Sequence, residues 1–175
     1  MNTNERLIIS TKGLKDGWHK YKFKISNEFF KSLEYSELED GNLTLNINLN
    51  KSIFHLLFEY QINGFLNVVC DRCLENFDIK FNTNGTFSVQ FTNVKEENDE
   101  GLISVLPKSE DIDISHYIYE SLILGLPSQR IHPLNEKGES SCNKEMLRRL
   151  NKINKNLSKE NYIDSRWEKL KNIIN

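Results

Sequence analysis

The chain predicts an α+β fold: an antiparallel β meander packed by a helix, followed by a helical C-terminal tail. Three observations carry that reading. Apolar and polar residues alternate with a period of two through most of the first half, the mark of strands that bury one face. The period lengthens to that of a helix between Asp113 and Gly125. From Lys144 the chain is polar, basic and helix-compatible, with only a thin apolar stripe.

Trp18 to Ile25 reads as the first clear strand, and Ser26 as the cap of a short helix reaching Leu33. Leu43, Leu45, Ile47 and Leu49 share one face of the next strand, with Thr44, Asn46, Asn48 and Asn50 on the other. Phe54, Leu56, Phe58, Tyr60 and Ile62 repeat the pattern. Asn63-Gly64 then suits a type I′ hairpin, because both central positions need positive φ. On that reading Phe65 to Val69 is a returning strand that runs into Cys70. After the turn C-D-R-C, Phe77, Ile79 and Phe81 alternate with Asp78, Lys80 and Asn82, and a second turn at Asn84-Gly85 leads to Phe87, Val89 and Phe91.

Residues 94–101 (VKEENDEG) form an acidic loop, and Leu102 to Leu106 a short strand ending at Pro107. Ile114, Tyr117, Ile118, Ser121 and Leu122 fit one face of a helix capped by Asp113 and stopped by Gly125 and Pro127. A loop leads to Cys142. Lys144 to Asn156 is the first tail helix, with Met146, Leu147, Leu150 and Ile153 as its stripe, and Asp164 caps a last one containing Trp167. The expected division is an α+β domain over 1–142 and a basic helical extension over 143–175.

Composition bounds the function. Hydrophobic residues at 38% suffice for the core of one ordinary domain, and no apolar run approaches the length of a membrane span. The opening M-N-T-N-E-R-L-I-I-S lacks the basic start and apolar stretch of a signal peptide. Three cysteines are an odd count, against a secreted disulfide framework and for a cytoplasmic protein. The net charge of −2 conceals a polarity. Between Asn93 and Ser121 eight acids face two bases, giving −6; between Cys142 and Asn175 nine bases face four acids, giving +5. A solvated loop and tail would account for this, and so would an anionic partner such as RNA.

Cys70 and Cys73 pose the sharpest question. A redox pair of this spacing belongs between a strand and a helix whose N-terminus lowers a thiol pKa, whereas here it lies between two strands. A structural zinc knuckle fits better, and Zn²⁺ needs two further ligands. His132 and Cys142 supply them, giving C-x2-C followed by H-x9-C. Free cysteines with a surface histidine remain the alternative. His19, His55 and His116 fall inside strand or helix patterns. No phosphate loop, HExxH or GxSxG is present, so no enzyme is expected.

Several stretches together resemble a known family. A strand ending in V-x-C-x-R-C-L (Val68 to Leu74) precedes an acidic loop, then a helix with Glu120 ahead of I-L-G-L-P (Ile123 to Pro127), then His132 and Cys142. With D-S-R-W-E-K-L (Asp164 to Leu170), this resembles the YceD family, the large ribosomal RNA subunit accumulation proteins. One departure is Arg130, where a second proline is often found. The resemblance implies a non-enzymatic cytoplasmic factor supporting ribosomal RNA accumulation and ribosome assembly, and it matches Cys70, Cys73, His132 and Cys142. The expected partners are ribosomal RNA or a ribosome-assembly protein. Arg72, Lys144, Arg148, Arg149, Lys152 and Lys155 are the expected RNA contacts. The rival expectation is a zinc-stabilised protein–protein adaptor that docks a basic partner on the acidic stretch without touching RNA.

Overall fold

The computed structural model describes residues 6–53, 55–91, 102–105, 111–135 and 137–157. In chain order these form β1 (Ile8–Ser10), β2 (Gly17–Ile25), α1 (Asn27–Lys31), β3 (Asp40–Lys51), β4 (His55–Val69), β5 (Asn76–Phe91), β6 (Leu102–Val105), β7 (Asp111–Asp113), α2 (Ser115–Leu124) and α3 (Lys144–Leu157). The chain divides into two compact units. One runs up to Val69 and resumes over Asn76–Gln129; the other joins Cys70–Glu75 to the chain from Arg130 onward.

The first unit carries a sheet in the order β2-β3-β4-β5-β6. Its first four strands form the expected antiparallel meander, so the α+β class holds. Alternation decides the faces. Leu43, Leu45, Ile47 and Leu49 of β3 and Leu56, Phe58, Ile62 and Leu66 of β4 are all buried. The helix α2 presents Ile118, Tyr119 and Leu122 to the same core, preceded by Ile114. Its aromatic Tyr117 stacks on Phe87, which stacks on Phe58 with ring centroids 4.6 Å apart. A fully buried phenylalanine of this kind contributes roughly 2–3 kcal/mol.

The two Asn-Gly pairs do not turn. β4 runs unbroken through Asn63-Gly64, and β5 through Asn84-Gly85. The meander therefore has fewer and longer strands than the turn residues suggested, and Phe65–Val69 extends β4 instead of returning beside it. Both glycines answer a different need. At Gly64, with φ 151°, a Cβ would lie 2.2 Å from the carbonyl oxygen of Asn42. At Gly85 it would lie 2.3 Å from the hydroxyl of Tyr60, the residue opposite in the register. Glycine here makes room for a neighbouring strand and a neighbouring ring. The long register of β4 on β3, from Asp40↔Asn67 to Lys51↔Leu56, overrides the local turn preference.

Four smaller differences remain, two set by contacts distant in sequence and two by local hydrogen bonds. β6 pairs in parallel with β5, not antiparallel. β1 and β7 form a separate two-stranded ribbon, Ile9 opposite Ile112, that alternation over three residues could not announce. Asp113 belongs to β7, and its carboxylate accepts the N–H of Ser115 at 2.9 Å, so it serves the start of α2 from one residue before the cap position. The helix after Ser26 forms, but the Ser26 hydroxyl goes to Glu28 and not to the helix backbone. Phe54, the acidic loop and the helix expected after Asp164 lie outside the described residues.

Candidate metal centre

The second unit is built around the turn that links β4 to β5. Cys70 is the first residue after β4, and the turn closes when its N–H donates to the carbonyl of Glu75 at 2.9 Å. The N–H of Leu74 donates to the carbonyl of Cys70, also at 2.9 Å. Leu74 has φ 62°, the only positive value among the described non-glycine residues. A left-handed leucine is costly, and its occurrence directly after Cys73 means that the turn is held by more than local preference. It brings both sulfurs to one side. The backbone N–H of Arg72 points at the Cys70 sulfur, 3.4 Å away.

A second loop meets this turn. Asp71, between the cysteines, donates its N–H to the carbonyl of Arg130 at 2.8 Å, and its carboxylate accepts the N–H of Arg130 at 2.7 Å. The Arg130 guanidinium lies 3.5 Å from the same carboxylate. His132 follows two residues later. The chain then folds back on itself: Leu134 bridges Ser140, and the Asn135 side chain accepts the N–H groups of Lys137 and Glu139. This closes the nine residues between His132 and Cys142 into a compact excursion. Asn143 then caps α3, its side-chain oxygen accepting from Glu145 and Met146, while its amide donates to Glu75 at 2.6 Å. The start of α3 is thus anchored to the cysteine turn.

The four side chains converge. Cys70 Sγ lies 3.8 Å from Cys142 Sγ, Cys73 Sγ lies 3.5 Å from His132 Nδ1, and Cys142 Sγ lies 3.7 Å from the same nitrogen. All four donor atoms are within 4.8 Å of one another. The three cysteines are buried and free, and His132 is half-buried. Tetrahedral Zn²⁺, at about 2.3 Å from sulfur and about 2.0–2.1 Å from nitrogen, has S–S edges of ~3.8 Å and S–N edges of ~3.5 Å. The three separations above lie near these edges, and three thiols with one imidazole are a donor set that can hold a metal.

Electrostatics favours a thiolate. Burial pushes the Cys70 thiol up, but the N–H groups of Arg72, Cys73 and His132 and the His132 imidazole outweigh it and bring Cys70 down to about 6. Burial raises Cys142, and its neighbours Cys70 and Cys73 raise it further, against a lowering hydrogen bond from Ser140. Thiols this crowded are poorly accommodated as several anions unless a cation sits among them.

Among the expected RNA contacts, Arg72, Lys144, Arg148, Arg149 and Lys152 are exposed. Lys144, Arg148 and Lys152 follow one another at helical spacing along α3, with Lys155 in the same helix. Arg149 is bonded to Glu145 within the helix. Met146, Leu147 and Leu150 are half-buried and Ile153 is exposed. Asp71, Arg130 and Glu75 escaped the sequence reading because hydrogen bonds to a distant loop leave no local pattern. Asn143 was findable, as an Asn directly before a helical stretch.

The family model described as "Large ribosomal RNA subunit accumulation protein YceD" matches residues 58–174, most of the chain. No curated protein and no solved structure matches. The chain belongs to the YceD family.

Proposed function

We propose that this YceD-family chain is a cytoplasmic, non-enzymatic factor for accumulation of large-subunit ribosomal RNA, in which a zinc knuckle presents a basic helix to that RNA. Cys70, Cys73, His132 and Cys142 are the zinc ligands. The observation that carries the site is the convergence of four donors within 4.8 Å of one another, three of whose separations lie near the edges of a ZnS₃N tetrahedron. Zinc bound by four protein ligands keeps no open position, so its part is structural. It closes the Arg130–Cys142 loop onto the cysteine turn, and so fixes where α3 begins.

On this reading residues 1–142 are the α+β domain and 143–175 an RNA-contacting extension. Lys144, Arg148, Arg149, Lys152 and Lys155, with Arg72 on the turn, engage phosphates. The +5 charge from Cys142 onward supports an anionic partner.

Two measurements test the proposal. Gently purified wild-type protein should contain about one equivalent of zinc by elemental analysis, and Cys73→Ser should lose it. A folded wild type free of metal would sink the zinc assignment. Affinity for ribosomal RNA should fall steeply with salt, and Arg148→Gln with Arg149→Gln should flatten that dependence. Partner capture that survives nuclease and depends on residues 94–113 would instead establish the adaptor.

A further inference from the structure

The meander buries one face against α2, and among the described residues no element packs on its other face. That second face has an unusual make-up. Along β2 it carries Trp18, Lys20, Lys22 and Lys24, with the tryptophan 57% exposed. The register continues each row across the sheet. Lys22 stands opposite Asn46, which stands opposite Gln61, which stands opposite Asn84. Lys20 heads the next row through Asn48, Glu59 and Thr86. Toward the other end, Phe65, 54% exposed, faces Lys80.

Charge and chemistry narrow the occupant. Four lysines on this face meet three acids, Asp40, Glu59 and Asp78; the Asp40 carboxylate accepts the N–H of Gly41, and Asp78 is engaged by the amide of Asn67 at 2.7 Å. Among the described residues no carboxylate forms an ion pair with any of these lysines. Lys20, Lys22 and Lys24 recur every second residue, about 6.8 Å apart, a step comparable to that between successive phosphates of an extended strand. The amides between them both donate and accept, as unpaired base edges require. An A-form duplex keeps its base edges in a groove that side chains do not read, so rows of amides suit single strands. A protein partner would call for an apolar centre, and here the centre is amide-lined. Lysines on an edge strand also discourage edge pairing, but that role explains neither the amides of β3, β4 and β5 nor the exposed tryptophan.

We propose that the open face of the five-stranded sheet binds single-stranded RNA, with Lys20, Lys22 and Lys24 on its phosphates and Trp18 stacked on a base. The choice of RNA rests on the function proposed above, but the surface is separate from the basic residues of α3.

The test uses the full-length, metal-loaded protein and a labelled single-stranded RNA of about 12 nucleotides, alone or annealed to its complement. Fluorescence anisotropy is read against salt. Replacing Lys20, Lys22 and Lys24 together by Gln should weaken single-strand binding by about 10-fold or more and reduce the salt slope by about 2. The corresponding triple Arg variant, which keeps the charge, should bind as wild type does. Trp18→Ala should weaken single-strand binding several-fold and leave duplex binding unchanged. A folded triple Gln variant that binds within two-fold of wild type with an unaltered slope would overturn the proposal. So would a Trp18→Ala variant that keeps wild-type single-strand affinity. Loss confined to Arg148→Gln/Arg149→Gln would leave the basic helix standing without the sheet face, and loss confined to the lysine variants would do the reverse.

Discussion

The two units are held together by different physics. In the sheet unit, more than twenty buried apolar residues form one cluster, from Leu7 to Leu122, with β3 and β4 contributing its longest rows. The cysteine unit, among its described residues, buries Cys70, Cys73 and Cys142, while Met146, Leu147 and Leu150 of α3 are half-buried and Ile153 is exposed. Its order comes from hydrogen bonds between loops and from four converging donor atoms. The first unit follows from an apolar pattern that any water-borne chain would bury. The second has instead a cluster of four donors that could hold a metal ion, and on the proposed reading that ion does what a hydrophobic core does elsewhere.

The comparison breaks most sharply on metal removal. Chelation of the purified protein, or Cys73→Ser, should raise amide exchange over 70–75 and 130–157 toward unprotected rates while β3, β4 and β5 stay protected. Structural zinc contributes an apparent 10–16 kcal/mol in small metal-dependent folds, roughly, so the effect should be large. Loss of protection across both units at once would show that they are not separable in this way.

The converse variant is Phe58→Ala. It removes a fully buried ring stacked on Phe87 and should cost about 3–5 kcal/mol, seen as a lower thermal midpoint. Zinc content of the fraction still folded should be unchanged. Next in size is Gly64→Ala, which places a Cβ 2.2 Å from the Asn42 carbonyl and should cost more than about 1 kcal/mol. Asn63→Ala should stay within about 0.5 kcal/mol, because the pair is not a turn. An Asn63 cost equal to that of Gly64 would restore the hairpin. Asn143→Ala uncaps α3 for about 1 kcal/mol. It should speed zinc release into a chelator without lowering the midpoint of the sheet.

Much of this was legible in residue order. Leu43 to Leu49 alternate and are buried as read, and the apolar face of α2 falls on Ile114, Ile118 and Leu122. The four candidate ligands were named from spacing and family likeness, and they meet. What misled was local turn chemistry. Asn63-Gly64 and Asn84-Gly85 carry a real hairpin preference, but glycine also permits close approach, and two residues do not say which use a fold makes of them. The ribbon of β1 with β7, the parallel β6 and the Asp71–Arg130 clamp each join segments far apart in the chain, where no periodicity links the partners.

By itself, then, the order of residues determined which side chains face a core, where helix replaces strand, and which thiols and imidazole are available to a metal, because each of these depends on near neighbours or on side-chain chemistry. Tertiary structure alone decided that the strands run on through their glycines, that the His132–Cys142 excursion closes on the cysteine turn, and that a row of lysines and amides shares one open face. Those outcomes depend on register and loop closure, whose free energy is gained only when distant segments meet.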